Sequence, residues 1–299
     1  MGPFLEPRGF SIVRGDMATH LPVIGGHEDG FGKTHRTDTW WVAPAITFFV
    51  FSTFVVYTTW ALLQANHYYT APYLSPFYSP VLFTNENIAG IPGTAPEHLA
   101  WFGTWPSWWP GGGKWWFLPA SPAILILVFP LTFRMSCYYY RKAYYRAFAG
   151  SPPGCAVGPL AAGKKKYKGE TGLLLIQNLH RYALYFALIF IFLLGKDAFE
   201  AFFLHGEPGI GVGSIIITIN VVLIACYTFG CHSLRHLLGG RNDCMSCGKN
   251  TIQYSSWKQA TWFNARHAQF AWASLIWVMV TDVYVRLVSM GVITDLNTW

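Results

Sequence analysis

Residues Gly209 to Gly230 read GIGVGSIIITINVVLIACYTFG, twenty-two positions without one charged side chain. A helix rises roughly 1.5 Å per residue, so about 20 apolar residues cross the hydrocarbon core of a bilayer. Four further runs are long enough: about Trp41 to Leu63, Phe117 to Ser136, Gly172 to Gly195 and Gln269 to Met290. Charges inside these runs are few, Arg181, Asp282 and Arg286 among them. Pro119, Pro122 and Pro130 each remove a backbone donor from the second run, which is therefore expected to be bent or irregular. The expected fold is all-α and integral to the membrane, with five transmembrane helices.

Composition points the same way. Charged residues make up 12% of the chain, where a soluble domain carries about 25%. Aromatic residues reach 18%, as suits rings that settle at membrane interfaces. The net charge of +7 is not spread as a nucleic-acid face requires, so no nucleic-acid partner is expected. Residues 1–32 are polar, Gly-rich and charged, without the apolar core of a signal peptide, and read as a flexible cytoplasmic tail. Residues 33–299 read as one membrane domain without an internal repeat.

Lys and Arg in the loops set the orientation. Arg134 to Thr171 holds eight basic residues and one acid, and Cys231 to His267 holds five and one. The long loop Gln64 to Trp116 has Lys114 against Glu86 and Glu97, and Lys196 to Pro208 has one base and three acids. The two basic loops lie on one side, the cytoplasm, which puts the N-terminus inside and the C-terminus outside. The long loop between the first two spans, with Tyr73 to Pro80 and Trp105 to Pro110, is dense in Pro and aromatic rings and reads as an external cap at the interface.

The six cysteines, Cys137, Cys155, Cys226, Cys231, Cys244 and Cys247, all fall at or near the cytoplasmic side. Disulfides are rare there, so clustering points to metal or reactive thiols. The richest stretch runs from Cys231, His232 and His236 to Asp243, Cys244 and Cys247. Three chemistries compete: structural zinc with four thiolate or imidazole ligands, an iron–sulfur cluster with thiolates on one iron and imidazoles on the other, and haem between helical histidines. For haem, His180 lies eight residues into the third span, and His267 lies near the inner start of the fifth. Without a cofactor, Cys231 and its histidines are polar residues at a helix end.

Several longer stretches bring a family into view. They are Arg36-Thr37-Asp38-Thr39-Trp40-Trp41, the loop Tyr73 to Pro80, Cys137 to Arg146, Ser151 to Val157, Gln177 to Tyr182, and Cys231 to Leu237. In these the chain resembles the membrane anchor subunit of bacterial succinate:quinone oxidoreductases, of the mycobacterial single-chain type. The resemblance implies a multi-pass protein of the bacterial plasma membrane, in contact with lipid. It implies flavoprotein and iron–sulfur subunits on the cytoplasmic face, with room for a small additional membrane subunit. Succinate is then oxidised on the flavin, and electrons reach quinone near this chain, which is not itself catalytic for succinate. It further implies a Rieske-type [2Fe–2S] cluster and no haem. The sequence departs from the usual Rieske signature: Cys231 and His232 are adjacent, and no Cys-x-x-His occurs.

Within that resemblance the expected cluster ligands are Cys155, Cys231, His232 and His236, because His232 and His236 share a helix face. Cys244 and Cys247 rank second, and Cys137, His180 and Asp243 stay open. Quinone needs an apolar slot with one or two donors. Arg36, Asp38, Trp40 and Trp41 at the inner end of the first span are candidates, as are Arg141 and Tyr144, with His180 as a quinone or haem contact. The blander readings are a helix start with an interfacial aromatic belt and a docking face for the iron–sulfur subunit. Two other functions compete with the redox anchor: a b-type cytochrome of another dehydrogenase, with haem b on helix histidines, and a transporter.

Overall fold

The computed structural model describes residues 32–84, 92–105, 121–150, 152–160, 172–240 and 252–299. The expected tail, residues 1–32, falls almost wholly outside these, as do Asp243, Cys244 and Cys247. The helices follow in the order α1 (Val42–Gln64), α2 (Pro122–Ile126), α3 (Val128–Ser136), α4 (Tyr138–Ala147), α5 (Leu173–Glu200), α6 (Val212–Phe229), α7 (His232–Gly239), α8 (Ile252–Ala265) and α9 (His267–Ser289). Among the described residues four of them, α1, α5, α6 and α9, are long and apolar enough to cross a membrane.

The second apolar run shows the effect of its prolines. Pro122 opens α2 in its first turn, where a missing N–H costs nothing. Pro130 has no N–H to offer the Ile126 carbonyl, and the helix is interrupted at Leu127 before α3 resumes. Neither piece alone is long enough to span. Residues 117–120, the start of that run, lie outside the described residues.

Large apolar side chains cover the outer faces of the long helices, and polar ones are buried between them. Ile46, Phe49, Val56 and Trp60 of α1 are exposed, as are Leu175, Ile189 and Phe192 of α5. Ser214, Asn220, Ser274, Thr281, Asp282 and Arg286 are buried inside the bundle. Lipid-facing helices show this inversion, because intramembrane polar groups must find partners within the protein. Small residues where α6 meets α9 let the two backbones approach closely.

At one end of the bundle the long aromatic loop forms a cap. Tyr68 and Tyr78 stack at 4.1 Å between ring centroids, and both are fully buried. A buried ion pair within α9 fastens the cap: Arg286 Nε lies 2.7 Å from Asp282 Oδ2. Tyr57 donates to Asp282 at 2.5 Å, and the Ser75 hydroxyl donates to its other oxygen. Arg286 donates to the carbonyls of Asn66 and Ala61 at 2.9 and 2.8 Å. These are the two charges that stood out in the fifth apolar run. The C-terminal segment returns to the same end, where Trp299 donates to the Glu207 carbonyl at 3.0 Å.

The opposite end is built differently. There α3, α6 and α9 each meet a helix of the basic segments, namely α4, α7 and α8. Each junction is short. Cys137 alone, in extended conformation (φ −69°, ψ 130°), separates α3 from α4. Cys231, likewise extended (φ −63°, ψ 133°), precedes α7. Arg266 separates α8 from α9, which starts at His267. The packed layer beneath holds Phe133, Cys137, Tyr140, Ala183, Leu184, Tyr227, Cys231, Ala271 and Leu275.

Candidate redox centre

Two thiols and two imidazoles meet in that layer. Cys137 and Cys231 are fully buried because each sits at a break where the chain turns out of the bundle. His180 arrives on the uninterrupted helix α5, and His267 as the first residue of α9. His180 Nε2 lies 3.1 Å from the Cys231 sulfur, and His267 Nε2 lies 3.6 Å from the Cys137 sulfur. The two pairs are close enough for Cys137 to bear on Cys231 electrostatically and His180 on His267. Burial pushes the Cys231 thiol up, so without a metal it stays protonated at neutral pH.

The rings are held by stacking and hydrogen bonds. His180 lies parallel to Phe133 at 4.6 Å, and His267 stacks on Tyr227 at 4.9 Å. His180 Nδ1 is 2.9 Å from the Ser136 hydroxyl. That hydroxyl already donates to the Thr132 carbonyl at 2.6 Å, so toward His180 it accepts. The proton of His180 therefore sits on Nδ1, and the Nε2 lone pair faces Cys231. A metal-binding histidine needs this tautomer, with the second nitrogen donating to a fixed acceptor. Among the described residues His267 Nδ1 is buried without a hydrogen-bond partner. Gly230 makes room for it: a Cβ there would lie 3.0 Å from His267 Nδ1 and 2.9 Å from the Phe263 carbonyl.

Among the described residues no three His, Cys, Asp or Glu side chains stand close enough together to hold a single metal ion. The donors come as two Cys–His pairs. Their chemistry, two thiols and two imidazoles, is a set that either a two-iron cluster or a structural zinc can use.

The residues expected from sequence are distributed otherwise. Cys231 is in the layer. Cys155 is exposed, in a loop fastened to the chain before α1: Arg36 donates to its carbonyl at 2.9 Å, and Thr34 donates to the Ala156 carbonyl at 2.7 Å. His232 and His236 do share a face of α7, with ring centroids 5.7 Å apart, but both are exposed. The helix restarts at His232 with Cys231 as its extended N-cap, so thiol and imidazoles part company at that point. Arg36 is paired with Asp38, and that hydrogen bond holds the Asp38 carboxyl below its usual range. Trp41 is exposed and Trp40 half-buried.

Beside the donors an apolar cavity of about 670 Å³ runs between α1, α3, α5 and α6, lined by Phe51, Phe54, Leu131, Phe148, Phe190 and Ile224. Tyr144 reaches it from α4, whereas Arg141 is buried nearby on the same helix. Arg134 also lines it, and sequence reading missed this residue. Its guanidinium donates to the Tyr140 hydroxyl at 2.6 Å and to Ser274 at 3.2 Å, and lies 5.1 Å over the Tyr227 ring. Among the described residues no carboxylate pairs with it. One signal in the sequence did mark the thiols: the second and fourth apolar runs end at Ser136 and Gly230, and a cysteine follows each directly.

Fold and site together define a class: a multi-pass, all-α membrane subunit whose thiols and imidazoles gather at the end that carries the basic segments. The family model for the actinobacterial succinate dehydrogenase subunit SdhC matches residues 42–291. The chain belongs to that family. It is also similar to a chain of the solved Mycobacterium smegmatis Sdh1 complex in the apo form, with 38% identity and a TM-score of 0.73. That match covers 89% of this chain and 94% of the other. Among curated proteins nothing matches. The chain is thus a membrane subunit of succinate dehydrogenase in the bacterial plasma membrane, and its partners are the other subunits of that complex.

Proposed function

We propose that the chain carries electrons from the iron–sulfur subunit to membrane quinone through a [2Fe–2S] cluster held by Cys137, His180, Cys231 and His267. The carrying observation is the pairing of each thiol with an imidazole nitrogen, 3.1 and 3.6 Å away, in a buried layer. Bound there, the cluster supplies one-electron storage. The residues do the rest: stacking on Phe133 and Tyr227 fixes the rings, Ser136 fixes the His180 tautomer, and the packed layer excludes water. The apolar cavity suits a quinone ring and the start of its tail, with Arg134 and the Tyr144 hydroxyl able to donate to a carbonyl.

The topology belongs to the same proposal. The α2–α3 pair makes the fifth span. The basic end, which carries the donors, faces the cytoplasm and the catalytic subunits, while the aromatic cap and the C-terminus lie outside. The positive-inside asymmetry of the loops supports this.

EPR of the dithionite-reduced complex tests the proposal, together with iron and acid-labile sulfide content. A signal with average g below 2 is expected, beyond those of the soluble subunits, and it should disappear in Cys231→Ser. Unchanged iron and EPR in Cys137→Ser and Cys231→Ser would overturn the assignment. A Soret band lost in His180→Ala and His267→Ala would assign the same histidines to haem.

A further inference from the structure

The apolar cavity has a direction that the proposed function does not use. At one end stand Arg134 of α3 and Tyr144 of α4. Phe51 of α1 marks the same end, its ring 4.9 Å from Tyr144 and 5.7 Å from Phe148. From Phe51 the lining continues along α1 through Phe54, Thr58 and Leu62 to Pro76 and Phe77 of the aromatic cap. Eleven residues of unbroken helix separate Phe51 from Leu62, a rise of roughly 16 Å. Among the described residues that line the cavity, Arg134 alone is charged. Toward the cap this lining is apolar apart from Thr58 and Thr59, and the Thr58 hydroxyl already donates to the Phe54 carbonyl at 2.5 Å.

Pockets of roughly 300–1,000 Å³ bury whole drug-sized ligands, so a ring at Arg134 fills only the first part of this one, at about 670 Å³. An empty apolar slot forfeits dispersion contacts on its walls, so the remaining length calls for an apolar chain. Bilayer hydrocarbon is as apolar as those walls, so such a chain gains packing and direction rather than escape from water. The cavity also opens sideways, where Val55 of α1 and Leu131 of α3 line it and are exposed. A tail leaving there would leave the capward part unfilled.

We infer that the isoprenoid tail of the quinone lies within the protein, from the level of Phe51 to Leu62 and Phe77 under the cap, and that the capward residues set which tails the complex accepts. This inference rests on the reading of the cavity as the quinone site. The quinone is then held at both ends: donors at Arg134 and Tyr144 take a carbonyl, and the slot along α1 keeps the ring from turning over. The opening between Val55 and Leu131 serves as the entry from the bilayer.

The experiment uses the purified complex in lipid nanodiscs and two photoreactive quinones, each with a tail of three isoprene units. One carries an azide on the ring and the other a diazirine at the tail end; adducts are mapped by mass spectrometry, with excess unlabelled quinone as competitor. The ring probe should label the segment from Arg134 to Phe148, and the tail probe should label Leu62 or the cap at Pro76 and Phe77. Tail adducts confined to Leu131 and Met135, or to lipid, overturn the inference and leave the quinone site standing. Failure of the ring probe to label its segment removes the quinone assignment and this inference together. Leu62→Trp narrows the capward end, so the KM of the three-isoprene quinone relative to that of a tail-less analogue should rise roughly tenfold. An unchanged ratio overturns the inference. If Leu62→Trp does not assemble, Thr59→Trp at an exposed lining position gives the same readout.

Discussion

His180 and Cys231 lie fifty-one positions apart, yet the ring nitrogen of one sits 3.1 Å from the sulfur of the other. The contact joins the middle of the third apolar run to the junction after the fourth.

If the pairs are ligands, Cys137→Ser and Cys231→Ser should abolish the additional EPR signal and lower the iron content of the complex. Cys155→Ser and His236→Ala should leave both unchanged, because those side chains are exposed and apart from the buried layer. Succinate oxidation by an artificial acceptor should survive in all four. Loss of the signal in Cys155→Ser would restore that residue to the ligand set.

Ser136→Ala removes the acceptor that fixes the His180 proton on Nδ1. Outer partners of this kind are typically worth about 10–100-fold in metal affinity. Iron should therefore leave the mutant complex faster under chelator, as followed by EPR amplitude against time, while assembly remains normal. Release at the unaltered rate would mean that Ser136 does not orient the ring.

Arg134 contributes charged donors at the wall of the apolar cavity. A hydrogen bond from a charged group is worth about 1.5–3 kcal/mol, so Arg134→Gln should weaken quinone use by roughly 10–100-fold. The defect should appear in quinone reduction by succinate and be absent with an artificial acceptor. Equal loss in both assays would show that Arg134 supports assembly instead.

Asp282 and Arg286 compensate each other inside the bundle. Removing one leaves a buried unpaired charge, which costs about 3–5 kcal/mol. Asp282→Ala and Arg286→Ala should each lower the melting temperature of the detergent-solubilised complex and expose the cap loop to protease. Joint replacement by Leu and Met should cost less than the sum of the two. Single mutants as stable as the unaltered complex would show the pair to be dispensable.

Topology can be tested on exposed positions at the two ends. In a Cys155→Ser background, a cysteine at Lys142 should react with an impermeant reagent only in inverted vesicles, and one at Glu207 only in intact cells. The reverse pattern would invert the orientation.

Much of this fold was legible because a bilayer imposes length and polarity on a sequence. Four apolar runs appear as long helices, and the prolines of the remaining run show as the break at Leu127. The site was legible only in part. Cys231 stands out by composition, but the helix-face argument tied it to His232 and His236. It placed His232 and His236 on one face, which they share, but Cys231 is extended and buried before α7 begins, while both imidazoles are exposed. His180 and His267 were read as a pair of imidazoles for haem, since spacing within separate helices says nothing of which thiol each will meet. Arg134 looked like one more loop cation. Its role at the cavity depends on the angle between α3 and α4, which a single extended residue sets.

The junctions at Cys137, Cys231 and His267 also bear on biogenesis. Their donors, with His180, come from four separate parts of the chain, and the last is reached only when α9 begins. A ribosome that has released everything before residue 267 has delivered three donors and no complete set. On the proposed assignment the full ligand set exists only once α9 has been made, so cluster loading would report that insertion is complete. On that assignment a chain truncated before α9 should carry no cluster.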